Sequence, residues 1–180
     1  TNEFKGSVGL YYGDSSLNAN ANGSDRKFYQ QSWVDPNDPT NQAKWYYRTF
    51  DKDDATSIEP GFALGGPIIQ DKLWFFAGYN PNIRSDSRTP YNQNTSYDMD
   101  RINHFFSANL KGNVGSKFVY KISANITPFK QEGNLPAFDG STPPEADLSV
   151  DTEIPTSSYS AYADFVPTSN FYVSGRVGMY

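Results

Sequence analysis

Between Arg101 and Lys111 the even positions carry Ile102, His104, Phe106, Ala108 and Leu110, while Asn103, Ser107, Asn109 and Lys111 take odd positions. The same period of two runs from Glu3 to Tyr12 and from Lys117 to Pro128. It returns in Tyr159, Ala161, Ala163 and Phe165, and again in Phe171, Val173, Gly175, Val177 and Met179. Successive side chains of a strand point to opposite faces, so a sustained period of two specifies β-strands with one apolar and one polar face. No stretch with a helical period competes with it.

The charges sharpen this pattern. Glu3, Lys5, Arg101, Lys111, Lys117, Lys121, Asp164 and Arg176 all fall on the polar phase of these strands, and none on the apolar phase. A face that excludes charge either packs on a soluble core or meets lipid, where a mid-depth Lys or Arg costs about 2–4 kcal/mol. The connections favour lipid. Strands are expected near 2–12, 60–69, 73–84, 101–111, 117–128, 158–166 and 171–180. Between them run long connections at 13–59, 85–100 and 129–157, alternating with short ones at 70–72, 112–116 and 166–170. In an up-and-down sheet alternate connections share an end, so one end carries tight turns and the other large polar loops. Transmembrane barrels are built this way, with short periplasmic turns and long extracellular loops.

The expected fold class is therefore all-β, an antiparallel up-and-down transmembrane β-barrel. Bacterial single-chain barrels close with an even strand number, and an open edge in lipid leaves backbone groups unsatisfied. About seven strands thus read as an incomplete barrel, part of a larger wall. No apolar run reaches the ~18–20 residues of a membrane helix. The chain opens on Thr1 without a leader, which reads as a processed or partial chain.

Composition agrees with a β-protein: thirteen Tyr and thirteen Phe in 180 residues suit a pleated surface. Tyr11, Tyr12, Tyr79, Tyr159 and Tyr180 fall toward the long-loop end, and Trp74, Phe75, Phe118 and Phe171 toward the short turns, as two interfacial girdles would require. The net charge of −5 argues against a nucleic-acid partner. The chain has no cysteine, so thiolate metal sites and disulfides are excluded.

No catalytic constellation, cofactor motif or metal motif emerges, and the expectation is a protein that is not an enzyme. His104, the sole histidine, reads as structural or interfacial. Asp35, Asp38, Asp51, Asp53 and Asp54 in the first long loop are solvated charge or an oxygen cluster suited to Ca2+. Trp33, Trp45, Tyr46 and Tyr47 either contact a ligand such as a glycan or peptide, or pin the loop to itself.

One segment is specific enough to carry a likeness. Gly61 through Phe76, with Gly65-Gly66-Pro67-Ile68-Ile69-Gln70-Asp71-Lys72-Leu73 at its centre, resembles a hairpin of Oar-like TonB-dependent receptors. Thr1-Asn2-Glu3-Phe4-Lys5-Gly6-Ser7 is similar to that family's first barrel strand. Family members often carry His at the place of Lys5 and Phe at that of Trp74. Physically, Asp71-Lys72 makes a compact polar turn, Gly65-Gly66 permits close backbone approach or a bend, and Pro67 ends the strand or marks a bulge. The resemblance implies an outer-membrane transporter with a barrel of about 22 strands, a plug domain, and contact with the TonB complex through segments outside these residues. Its further implied partners are outer-membrane lipid and the remainder of the barrel. Two other readings stay open. One is a small eight-stranded anchor or adhesin with its extra strand in Ala43–Phe50; the other is a secreted β-sandwich that binds carbohydrate.

Overall fold

A computed structural model describes residues 2–18, 52–91, 93–143 and 145–180 with their side chains, and 27–31 and 45–49 as backbone. Its strands are β1 (Lys5–Asp14), β2 (Lys27–Gln31), β3 (Trp45–Thr49), β4 (Asp54–Ile69), β5 (Leu73–Tyr79), β6 (Asn82–Arg88) and β7 (Tyr97–Asn103). Then follow β8 (Phe106–Val114), β9 (Phe118–Ile126), β10 (Phe129–Glu132), β11 (Thr152–Ile154), β12 (Ser157–Thr168) and β13 (Phe171–Met179). All pairings are antiparallel. The β2–β3 hairpin stands apart, and the other strands share one sheet whose described edges, β1 and β13, do not pair with each other. The fold is an all-β, up-and-down antiparallel sheet that is not closed.

Several of these strands are halves of longer ones. Tyr79 faces Phe106, and three residues further along each chain Asn82 faces Asn103, so register is kept from β5–β8 into β6–β7. The pairs Phe106–Ile126 and Asn103–Phe129 show the same continuity, as do Ile126–Ser157 and Phe129–Ile154. The physical wall is thus β1, β4, β5/β6, β7/β8, β9/β10, β11/β12 and β13, in chain order.

The interruptions have a cause. Unbroken register puts Pro60, Pro81, His104, Pro128 and Pro155 at one level on five neighbouring strands. Proline has no N–H to give the ladder. Single bonds carry the pairing across this level: the Asn80, His104 and Thr127 amides donate to the Phe105, Pro128 and Thr156 carbonyls at 2.9, 3.0 and 2.8 Å.

Some boundaries differ from the sequence expectation. The second strand starts at Asp54 rather than near 60. Strand structure runs on to Arg88 and resumes at Tyr97, inside the stretch expected as loop from 85 to 100. Phe129–Glu132 and Thr152–Ile154 likewise extend strands into the expected 129–157 loop. The residues Trp45–Thr49 do form a strand, but it pairs with Lys27–Gln31 outside the main sheet.

The described residues enclose no interior in the ordinary sense. Among the described residues no hydrophobic side chain is buried. The chain exposes 12726 Å2, where a compact monomer of 20.1 kDa exposes about 8,700 Å2.

Candidate functional site

The two faces of this single layer are the functional surfaces, and the register assigns each residue to one of them. Leu10 faces Pro60, Phe62 faces Tyr79, Phe75 faces Leu110, Leu110 faces Ile122, and Ala161 faces Val177. These pairs lie on one continuous apolar face. Val8, Leu10, Phe62, Ile122 and Val177 on it are 51–90% exposed. Below the level of Ile83 and Ile102, down to the short turns, this face holds no Asp, Glu, Lys or Arg among the described residues. At that level, on the same phase, stand Lys130 and Glu153, and just beyond it Asp98, Asp100 and Glu132.

Aromatic clusters stand above and below the middle of the apolar belt. At the upper one, the Tyr79 hydroxyl lies 2.7 Å from His104 Nδ1, with the two rings stacked at 5.9 Å, and Phe62 packs on Tyr79 at 5.9 Å. At the lower one, Phe4 meets Phe75 at 6.2 Å, and Phe118 meets Tyr120 at 5.9 Å and Phe165 at 6.4 Å. His104 is therefore a hydrogen-bonded member of an aromatic cluster.

The opposite face is polar and lined by small side chains across its middle. Ser7, Ala63, Gly78, Ser107, Asn125 and Ser158 face one another in sequence across neighbouring strands. Toward the long loops stands a charge cluster. Asp86 is 3% exposed, the one buried charged residue among those described. Its carboxylate accepts from Arg84 Nε at 2.8 and 2.9 Å, and from Arg101 at 2.7 Å. Burial opposes its ionisation, but the Arg84 and Arg101 guanidiniums outweigh that and hold the carboxyl below the usual range.

Two residues further out, Arg88 gathers the long loops. It donates to Asp53 at 3.0 and 2.7 Å and to the Pro136 carbonyl at 2.7 Å, and its guanidinium lies 3.6 Å from the Phe138 ring centroid. The Tyr91 amide donates to the Phe138 carbonyl at 3.0 Å. Segments from all three long connections meet here. Arg88 and Asp53 side chains are 15% and 14% exposed, dry enough for charge-assisted bonds to count. Gly133, at φ 73, starts the third loop where a Cβ would lie 2.6 Å from the Asp98 carbonyl. A cavity of about 770 Å3 opens beside this loop, lined by Asp98, Asp100, Glu132, Asn134 and Asp147 among others.

The turn motif read from sequence is assembled as a unit with the chain's opening residues. Asp71 takes φ 59, and the Lys72 amide donates to the Ile69 carbonyl at 3.1 Å, closing the turn. Asn2 fastens it from across the sheet: its Nδ2 donates to Asp71 at 2.6 Å, and its Oδ1 accepts from the Asp71 amide at 3.1 Å and Trp74 Nε1 at 3.3 Å. Gly66 seats Phe4, since a Cβ there would lie 2.5 Å from the ring, and a Cβ on Gly65 would lie 3.0 Å from the Phe75 carbonyl. Register shifts between Pro67 and Ile69. The two segments that carry the family likeness thus touch each other.

Of the loop aromatics, Trp45, Tyr46 and Tyr47 fall on β3, facing Gln31, Gln30 and Tyr29 through the backbone, and Trp33 lies outside the described residues. In the carboxylate cluster, Asp53 is taken by Arg88, and Asp35, Asp38 and Asp51 lie outside the described residues. Sequence reading missed Asp86 and Arg88. Their signal was Arg84-x-Asp86-x-Arg88, opposite charges at the strand period.

No family model, curated protein or solved structure matches the chain.

Proposed function

We propose that this chain is part of the wall of a bacterial outer-membrane β-barrel, its apolar face against lipid and its polar face toward an enclosed lumen. The observation that carries the reading is the exposed, charge-free apolar belt on a sheet without a buried core. Ordinary domains cover such a face with a second layer; a barrel wall leaves it to lipid.

The belt has the right height. From Ile102 to Val114 the strand rises about 40 Å at ~3.3 Å per residue. Tilted by the ~35–45° of such barrels, it spans about 30 Å, the thickness of a bilayer's hydrocarbon core. Charge begins where this span ends, at Asp100 and Lys130.

Within that class we infer the opening strands of a TonB-dependent receptor that transports a solute rather than transforming it. The hairpin of Gly65, Gly66, Pro67, Asp71 and Lys72, fastened by Asn2, supports the reading. Further strands of the same barrel would pair with the edges β1 and β13, and a plug and TonB contact would come from other segments. The loop assembly around Arg88 forms part of the extracellular cap. The test is electrophoresis of the full-length protein in detergent with and without boiling. A heat-modifiable band and resistance to extraction from outer-membrane fractions by carbonate support the barrel. A protein that stays monomeric and folded without detergent refutes it.

A further inference from the structure

Near the long loops the polar face carries apolar side chains. Phe129 on β10 faces Asn103 on β7 and Ile154 on β11, on the phase that also holds Arg101 and Gln131. Phe105, whose carbonyl accepts from the Asn80 amide, stands two residues below Asn103 on that phase. Phe105 and Ile154 are 49% and 50% exposed. On the outer face of a barrel wall lipid covers such side chains; on a face turned to an enclosed lumen something else must. A contiguous apolar patch with a polar rim marks a binding surface.

Charge gives the other half of the occupant's chemistry. One row above Phe129, Arg84 and Arg101 face each other, with Gln131 next to Arg101. The buried Asp86 carboxylate takes three bonds from Arg84 and one from Arg101, so two guanidiniums share one negative charge. Like charges directly opposite on neighbouring strands destabilise a sheet, and an added anion relieves that. The surplus lies toward Arg101, whose Nε is shielded from solvent and has no partner. On β7, β10 and β11 this phase holds no Asp or Glu among the described residues. Glu59, an acid on the same phase, is two strands from Arg101 and accepts from Asn82 at 2.5 Å. Phe105, Phe129 and Ile154 span three neighbouring strands, about 10 Å at ~4.8 Å per strand, and Arg101 stands about 7 Å above Asn103. Phe and Ile offer hydroxyls no hydrogen bond, so the body that lies on them is alkyl or aryl rather than sugar.

We propose that the wall below the Arg88 loop assembly binds an amphiphilic organic anion. Its alkyl or aryl body lies on Phe105, Phe129 and Ile154, and its acid group on Arg101 and Arg84. This names the solute class of the transport reading and rests on it, because the face must be enclosed. The test is saturation-transfer NMR on the full-length protein in lipid nanodiscs, with empty discs as the blank. The probes are 4-phenylbutanoate, its neutral amide, and butanoate, which lacks the ring. The phenyl acid should bind roughly tenfold or more tighter than either of the others. Arg101→Gln should bring acid and amide within about twofold of each other, and Ile154→Ser should weaken both about fivefold. An acid that binds no tighter than its amide overturns the proposal. So does binding that Ile154→Ser leaves unchanged, and so does a signal no larger than that of empty discs. Boiling each sample before electrophoresis separates the two failures. A heat-modifiable protein without the preference sinks the anion site alone, and a protein that stays folded without detergent sinks the barrel reading as well.

Discussion

Ala124 and Asn125 are consecutive on β9, yet the barrel reading gives them different surroundings. Ala124 faces Ala108 and Tyr159 on the apolar side, and Ala108 lies midway between Ile102 and Val114, the limits of the belt on its strand. Its depth is therefore about 15 Å from either boundary of a ~30 Å hydrocarbon layer. Ala124→Lys places an ammonium at the depth where lipid-facing Lys costs about 2–4 kcal/mol. Asn125, exposed on the polar side between Ser107 and Ser158, has no charged residue directly opposite it. Asn125→Lys should change stability by no more than about 0.5 kcal/mol, as at an ordinary surface site. Urea unfolding of the full-length protein in phospholipid vesicles, followed by tryptophan fluorescence, measures both. The difference between neighbours is the result, because each serves as the other's control for expression and refolding. Equal effects, or a harmless Ala124→Lys, would mean that the apolar face meets water or protein instead of lipid.

Other consequences are as direct. Asp86→Asn leaves the guanidiniums of Arg84 and Arg101 without their counter-charge and should cost about 2–3 kcal/mol in the same urea assay, below the full value for a buried pair because both arginines are partly exposed. The Asp86 carboxyl is held below its unfolded value, so its contribution is complete above about pH 4 and lost as pH falls through the folded pKa. Wild type and Asp86→Asn should therefore converge in stability in strong acid; a gap that stays constant down to pH 2 would refute the charge argument. Arg88→Lys keeps the charge but loses the fork on Asp53 and weakens the contact with Phe138, and about 1–2 kcal/mol of loop anchoring should go with them. Limited proteolysis within residues 133–151 should then run roughly tenfold faster, and an unchanged cleavage rate would show that Arg88 does not hold the loop. Tyr79→Phe removes the bond to His104 and should cost about 1 kcal/mol, read from the urea midpoint.

What could be read in advance followed the belt. Where one face is apolar throughout, as from Phe106 to Leu110 or Phe118 to Ile126, alternation is sustained and the strand is visible in the sequence. Beyond the belt both faces are polar, and Arg84-Ser85-Asp86-Ser87-Arg88 has no hydrophobic phase to betray it. Those extensions are strands because the ladder continues and ion pairs replace apolar contact. The cluster of Asp86, Arg84 and Arg101 was illegible for the same reason, since Asp86 falls in the stretch expected as loop while Arg84 and Arg101 close the expected strands on either side of it. Asn2 was invisible in another way. Its partners, Asp71 and Trp74, lie about seventy positions along the chain, and only the β1–β4 pairing brings them near. By contrast the turn at Asp71-Lys72 was plain from composition, because a short polar break between apolar runs leaves the backbone little choice.

The pairing of β1 with β4 also bears on how the sheet is put together. β4 and β5 are joined by the tight turn at Asp71, and β8 and β9 by that at Gly115, so these hairpins close over a few residues. β1 must close over the whole stretch from Asp14 to Asp54. Loop-closure entropy grows as ~(3/2)RT ln n, which makes a tenfold longer closure costlier by about 2 kcal/mol. β1 is thus slower to dock on β4 than β5 is, and it docks on a hairpin already formed. Asn2, reaching across to the Asp71 turn, then works as a latch that fixes the register of the late-arriving strand.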